Sequence, residues 1–215
     1  MSGSGRDAAH DADLVVVGGG PVGVAVGLFA AKRGLSAIVV ERETEVYNLA
    51  RAIGMDDEVQ RIFQNYGLAD EIRAITTPML GAEFVKPDGE RIIGVELPED
   101  AVWPLGHHPT VAYYQPALEQ MLRNAAEEAG VQLRLGAEVQ SMSQRDGSVT
   151  TIIQSTDGHE LPLHSRWGVG ADGASSGVRK SLGVAFEDLG FDQDWLVVDT
   201  RLLRDVELPT FVQQI

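Results

Sequence analysis

The sequence predicts an α/β fold with a parallel sheet at its centre, and three observations carry that prediction. A β-branched run at 14–17 is followed by Gly18-Gly-Gly-Pro-Val-Gly23 and an apolar helical stretch to about Arg33. A second β-branched run at 37–40 follows and ends on Glu41. From Val131 onward, short strand patterns alternate with turn signals. Gly18, Gly20 and Gly23 hold the G-x-G-x-x-G positions between strand and helix. There glycine permits a tight turn, close approach of backbone to a pyrophosphate, and close helix–strand packing. Pro21 and Val22 stand at the helix start, whose free N–H groups and positive dipole end suit phosphates. Glu41 comes about 20 residues later, where a carboxylate can bind ribose hydroxyls. The segment reads as a dinucleotide-binding unit.

Composition sets the outer bounds. The chain has 215 residues, 44% of them apolar, enough for one domain and part of another. Its formal net charge of −15 argues against nucleic acid and anionic membrane as partners. An anionic cofactor must then be held by local dipoles and a few placed arginines. The absence of cysteine excludes disulfides, thiolate catalysis and cysteine-ligated metal. The longest uncharged run, 14–31, is interrupted by glycines and Pro21 and closed by Lys32-Arg33, so strand–turn–helix describes it better than a membrane span. Residues 1–12 lack the plan of a signal peptide and read as a disordered lead-in. A soluble cytoplasmic protein is the default expectation.

In chain order, Arg42 opens a polar link that leads to Arg51-Ala-Ile-Gly-Met55. Arg51 is either a solvated loop arginine or a cation placed to neutralise a pyrophosphate. Asp56, Asp57 and Glu58 begin a helical pattern to about Tyr66. They suit an N-cap and the helix dipole better than a metal, because adjacent helix residues do not face one another. A short helix runs through Ile75. Residues 82–85 and 91–95, joined by Lys86-Pro-Asp-Gly89, read as a β-hairpin belonging to a second layer or domain. His107 and His108 follow in a loop with Trp103. With no third ligand at sensible spacing they read as polar loop residues rather than metal ligands. Gln115-Pro-Ala-Leu-Glu119 opens an amphipathic helix with Leu118, Met121, Leu122 and Ala125 on one face.

Gly130 ends that helix, and 131–135 is a short strand entering the cofactor-binding sheet. Strands at 137–144, 148–154 and 160–163, with turns at Asp146-Gly147 and Asp157-Gly158, form a meander covering the sheet. Trp167-Gly-Val-Gly170 then runs into Ala171-Asp172-Gly173 and a serine-capped helix. This places a carboxylate beside a turn, or is an ordinary strand-to-helix connection. Beyond Gly183 the chain is strand-like again, most clearly at 195–202.

The ordered set of Gly18–Gly23, Glu41-Arg42, Arg51-Ala-Ile-Gly-Met-Asp-Asp-Glu58, Tyr114–Glu119 and Gly170-Ala-Asp-Gly173 through Arg179 resembles the single-component FAD-dependent aromatic hydroxylases related to p-hydroxybenzoate hydroxylase. Within that flavoprotein monooxygenase family it resembles above all the 3-(3-hydroxyphenyl)propionate hydroxylases, notably at 51–58 and 186–199. The resemblance implies a Rossmann-like FAD-binding domain over 13–185, with a glutathione-reductase-type βαβ unit and a β-meander. A hairpin insertion at about 79–112 would belong to the substrate side, and 186–215 would begin a β-sheet substrate-binding domain. Gly18, Gly20, Pro21, Val22, Gly23 and Glu41 would hold the ADP half of FAD, with Arg42 and the Val139 backbone near the adenine. Arg51 and Gln115 would meet the phosphates and ribityl chain. Asp172 with Gly173 would bind the ribityl chain and influence access of NADH or NADPH.

The implied chemistry is reduction of FAD by NAD(P)H, addition of O2 at the flavin C4a to give a hydroperoxide, and transfer of its distal oxygen to a small phenolic substrate ortho to the hydroxyl. No side chain presents itself as catalytic acid or base. The family continues well past this length and carries a second Gly-Asp motif, which does not follow Asp172 here. The expectation is therefore an N-terminal part of a hydroxylase, missing a C-terminal segment or a second chain, and binding FAD weakly alone. Two other readings stand beside it: an NAD-dependent dehydrogenase, against which the Asp172-Gly173 motif counts, and a non-catalytic nucleotide-binding remnant.

Overall fold

The computed structural model describes residues 10–48, 51–194, 196, 198, 200, 202–206 and 212–214. The chain opens with β1 (Ala12–Val17), α1 (Pro21–Ala31) and β2 (Ala37–Glu41). Next come β3 (Gly54–Asp56), α2 (Asp57–Asn65), α3 (Ala69–Ala74), β4 (Thr76–Pro78), β5 (Gly81–Val85), β6 (Arg91–Glu96) and β7 (Thr110–Tyr113). After α4 (Gln115–Glu128) follow β8 (Gln132–Leu135), β9 (Ala137–Arg145), β10 (Ser148–Ser155) and β11 (Glu160–Gly170), then α5 (Gly177–Ser181) and β12 (Val212–Gln214). These elements fall into two compact units, Met1–Tyr47 with Glu119–Gln193 and Asn48–Leu118 with Asp194–Ile215.

The first unit is built on a six-stranded sheet in the order β8-β2-β1-β11-β10-β9. β8, β2, β1 and the later half of β11 run parallel, and β11, β10 and β9 continue as an antiparallel meander. Strands β1 and β2 are almost continuously apolar, with Val at 15–17 and 39–40, because both their faces are covered. On one face, Val15, Ile38 and Val40 pack with Ala137, Ile153 and Leu163 of the meander. The meander therefore covers the sheet, as its turn signals suggest, while remaining hydrogen-bonded to it through β11. On the other side Val39 reaches Gly27 of α1.

Two boundaries in this unit differ from the sequence reading. β1 starts at Ala12, two residues early, because Ala12 pairs with Ser165 and the Asp11 N–H donates to the His164 carbonyl at 2.8 Å. The runs at 160–163 and 167–170 form one strand. Ser165, fully buried, pairs with Val149 on one side and Ala12 on the other, so the backbone has ladder partners where the apolar pattern lapses. The tail expectation otherwise falls on residues 1–9, outside the described residues.

The second unit holds two three-stranded sheets, β3-β7-β4 and β12-β5-β6. The β5–β6 hairpin closes on the expected turn, with the Gly89 N–H donating to the Lys86 carbonyl at 2.8 Å. Asp56 caps α2 by accepting the Val59 N–H at 2.9 Å, with Asp57 and Glu58 in the first turn. The unit is wider than the insertion drawn at about 79–112, because β3 and β4 flank β7 and carry 48–78 into it. Of the strand expected at 195–202, Trp195, Val197, Asp199 and Arg201 lie outside the described residues; the described ones among them are not in a strand. Among the described residues no helix is long and apolar enough to cross a membrane.

Ile38 is 1% exposed in the packed face, whereas Ile92 of β6 is 64% exposed. Ile38→Ala should cost about 2–4 kcal/mol by urea unfolding, and Ile92→Ala should stay within about 0.5 kcal/mol of the parent. Equal losses would contradict this placement of the core.

Candidate functional site

The carboxyl ends of β1, β2 and β11 meet at one place, and the glycine turn leaves β1 there. The Gly18 N–H donates to the Val40 carbonyl at 2.8 Å and the Ala171 N–H to the Val17 carbonyl at 2.7 Å. These two bonds lock the turn between the neighbouring strands. Gly18 has φ +102°, and a Cβ there would stand 2.4 Å from the Ala171 carbonyl oxygen. A Cβ on Gly23 would stand 1.8 Å from the Gly18 carbonyl oxygen, so α1 can only leave the turn at this angle from glycine.

Gly20 is different. It caps α1 with φ −72° and ψ −177°, extended backbone open to any residue, and a Cβ there would meet nothing within 4 Å. No contact among the described residues accounts for glycine at this position. Open space directly before the first turn of a helix suits a group that approaches the backbone from outside, as a pyrophosphate does. Pro21 occupies the first helical position, where its missing N–H costs nothing, and Val22 beside it is 68% exposed.

Glu41 closes the other wall. One carboxylate oxygen accepts the Gly19 N–H at 2.6 Å and the other accepts the Glu43 N–H at 2.9 Å. Each oxygen keeps a lone pair, so the carboxylate can still accept two ribose hydroxyls. Gly19 did not stand out in the sequence; the triple glycine was its only signal. Arg42 lies beside Glu41 with its guanidinium 3.3 Å from Glu43, both largely exposed, a pairing of small energetic weight. Val139 packs against the buried cluster and pairs with Ile153, where a register shift interrupts the β9–β10 ladder.

Asp172 follows directly on the strand-end bond of Ala171. Ser176 Oγ donates to it at 2.5 Å and the Val178 N–H at 3.2 Å. Burial pushes this carboxyl up, but hydrogen bonds from Ser176 and from the Val178, Asp172 and Gly177 N–H groups outweigh it. They hold the group below the ordinary carboxylate value. Ser176 in turn accepts the Arg179 N–H at 2.9 Å and caps α5, as the sequence suggested. Gly173, at φ +78°, turns the chain between them. The structure thus groups Gly18, Gly20, Pro21, Val22, Gly23, Glu41 and Asp172 around one set of strand ends.

Arg51 and Gln115 form a separate pairing in the second unit. The Gln115 side-chain oxygen, in a residue 8% exposed, accepts the Arg51 and Ala52 N–H groups at 2.7 and 2.9 Å. The loop that carries Arg51 is thereby tied to the start of α4, a link that no sequence pattern announced. The two loop histidines have local partners. His107 Nε2 lies 3.1 Å from Gln64 Oε1, and His108 Nδ1 lies 2.7 Å from the Thr110 carbonyl oxygen. Burial and the nearby Arg61 and Arg73 guanidinium groups lower the His107 pKa. Among the described residues no cluster of three or more His, Asp or Glu side chains could hold a metal.

Comparison with known proteins gives a consistent picture. The FAD binding domain family matches residues 11–214. A protein of Rhodococcus jostii (strain RHA1) described as a probable NADH-specific resorcinol 4-hydroxylase is 37% identical over 98% of this chain and 39% of its own length. The 3-(3-hydroxy-phenyl)propionate/3-hydroxycinnamic acid hydroxylase of Comamonas testosteroni is 34% identical over 89% of this chain and 32% of its own. The chain thus spans well under half the length of these relatives. Among solved structures, the flavin-dependent monooxygenase PieE, in complex with FAD and substrate, superposes with a TM-score of 0.72 at 30% identity, over 81% of this chain and 33% of PieE. Aklavinone-11 hydroxylase, in a ternary complex with FAD and aklavinone, gives 0.73 at 29% identity, over 82% of this chain and 35% of that one.

Two outcomes follow from the contacts at the strand ends. Gly23→Ala should destabilise the fold by more than about 3 kcal/mol, because backbone rather than a side-chain tip must move. Gly20→Ala should remain within about 1 kcal/mol of the parent, the ordinary cost at an N-cap. Urea unfolding compares the two, and similar losses would refute the distinction. The depressed pKa of Asp172 also sets a pH dependence. Its contribution to stability is fully present above the unfolded value of about 3.9 and is lost as pH falls through the lower folded value. Melting scans from neutral to strongly acid pH should show a shallower acid limb in Asp172→Asn than in the parent.

Proposed function

The chain belongs to the FAD-binding monooxygenase family, and from that premise we propose that it carries the ADP-binding half of an FAD-dependent aromatic hydroxylase. The observation that carries this reading is the open space before α1 at Gly20, next in the chain to Gly19, whose N–H the Glu41 carboxylate accepts. The dipole end of α1 and the N–H groups of its first turn receive the pyrophosphate, and they do so against an overall charge of −15. Glu41 holds the adenosine ribose through its remaining lone pairs. Arg42 and the Val139 backbone face the adenine. Asp172, kept ionised by its hydrogen-bond donors, accepts a hydroxyl of the ribityl chain and bears on access of the nicotinamide. Arg51 and Gln115 act on the phosphate and ribityl portion, with Gln115 holding the arginine loop in place.

When bound, FAD supplies hydride acceptance and activation of O2 for oxygen insertion into a phenol. The residues at the strand ends contribute binding and orientation. The substrate is a small phenol, hydroxylated ortho to its hydroxyl. Support for this comes from the resorcinol and hydroxyphenylpropionate hydroxylases among the relatives. Of the two nicotinamide donors NADH is favoured, because the Rhodococcus relative is described as specific for it. The first unit is the cofactor side, and the second, with its β5–β6 hairpin, is the substrate side. The protein works in the cytoplasm.

The test begins with a visible-spectrum titration of the chain with FAD. A shifted, protein-bound flavin spectrum is expected. Glu41→Gln should weaken binding about 10-fold, the loss of a charge-assisted hydrogen bond. Gly20→Ala should weaken it more while folding normally. A free-flavin spectrum from a folded chain would overturn the cofactor assignment for this chain. Where flavin binds, NADH oxidation stimulated by resorcinol or 3-(3-hydroxyphenyl)propionate, with hydroxylated product in proportion, tests the reaction itself.

A further inference from the structure

Arg123 lies on the face of α4 that the helix buries. Leu118, Leu122 and Ala126 form the apolar row there, and Arg123 beside them is only 6% exposed. Its Nε is buried and has no hydrogen-bond partner among the described residues. The ion pairs described in the first unit, Arg42–Glu43, Arg145–Asp146 and Arg166–Asp13, leave it out. Glu119, also 6% exposed, precedes it by one turn of α4, but among the described residues no ion pair joins the two. A guanidinium so far withdrawn from water without an ion pair is costly, so its retention on this face calls for a partner.

The same side chain lines a cavity of about 360 Å³, together with Thr44, Glu45, Gln120, Glu127 and Leu135 among others. That volume falls within the range of small-molecule pockets, roughly 300–1,000 Å³. None of its lining residues belongs to the glycine turn, to Glu41 or to Asp172. A guanidinium presents a planar fork of donors that matches the two oxygens of a carboxylate or phosphate. The Thr44 hydroxyl adds a neutral donor. Glu45 and Glu127 oppose a bare anion and favour a ligand whose anionic end is accompanied by a cationic or hydrogen-donating part.

We propose that this cavity is a second ligand site, separate from the dinucleotide cradle, in which Arg123 receives the carboxylate or phosphate of a small molecule. Binding there bridges the segment after β2, through Thr44, to the middle of α4. It is independent of whether FAD binds the strand ends.

The test follows the Arg123 side-chain Nε–H resonance of the 215-residue chain by NMR, assigned through bonds so that no variant is needed. Inorganic phosphate and acetate are titrated separately at millimolar concentration, with ionic strength held constant by chloride. A saturable shift of the Arg123 resonance is expected with at least one of the two. Phosphate alone identifies a phosphate-bearing ligand, acetate alone a carboxylate-bearing one. In Glu127→Gln the concentration at half-effect should fall at least about threefold, because a like charge has left the cavity. An Arg123 resonance that responds to neither anion overturns the proposal. So does an unchanged half-effect concentration in Glu127→Gln, which would put the anion elsewhere.

Discussion

The Gly18 carbonyl stands where a side chain on Gly23 would have to be, with only 1.8 Å between that oxygen and an added Cβ. Much of the first unit depends on this approach. It lets the chain turn out of β1 and enter α1 at once, so that the helix lies against β2 and reaches Val39 at Gly27. It also fixes where the helix begins. The dipole end and first-turn N–H groups of α1 therefore face the strand ends at which Glu41 and Asp172 are held.

The strand ends are stitched by backbone before any side chain takes part. Gly18 is bonded to β2 and Ala171 to β1, so the glycine turn and the Asp172 loop are placed by the sheet register. Side chains then add local charge control. Glu41 is anchored to Gly19 and Glu43, and Asp172 to Ser176 and Val178. In a chain of net charge −15, two carboxylates at one set of strand ends add to the negative charge there. Their hydrogen bonds to N–H and O–H donors disperse that charge into the surrounding dipoles. α4 in turn buries a cation, Arg123, on the face that also buries Leu122, Ala126 and Glu119, with a cavity at its side.

Periodicity made most of the first unit legible. The alternation of β10 and the Val-rich runs of β1 and β2 follow from side chains pointing to opposite faces of a strand and from burial on one or both of them. Local rules served both units: the Asp56 cap and the Lys86–Gly89 turn in the second and the serine cap at Ser176 in the first each need only a few consecutive residues. Less visible were features made by residues distant in sequence. β11 reads as two strands because Ser165 and Arg166 break the apolar pattern, yet its ladder partners at Ala12 and Val149 make it continuous. The width of the second unit could not be seen either, since β3, β4 and β7 are each short and meet only by pairing across the chain.

By itself the sequence determined the βαβ unit, the glycine positions, the acidic residue after β2 and the motif order that marks the family. These depend on local sterics, on side-chain period and on spacing, all of which are properties of the unfolded chain as much as of the folded one. Only the tertiary structure decided what distinguishes the three glycines. Gly18 and Gly23 are required by backbone contacts inside the chain, and Gly20 by none among the described residues. It alone tied Gln115 to the arginine loop across more than sixty residues and set Arg123 on a buried face with no partner for its Nε among the described residues. Such facts depend on which groups meet after folding, and a linear pattern does not carry distances between residues that only the fold brings together.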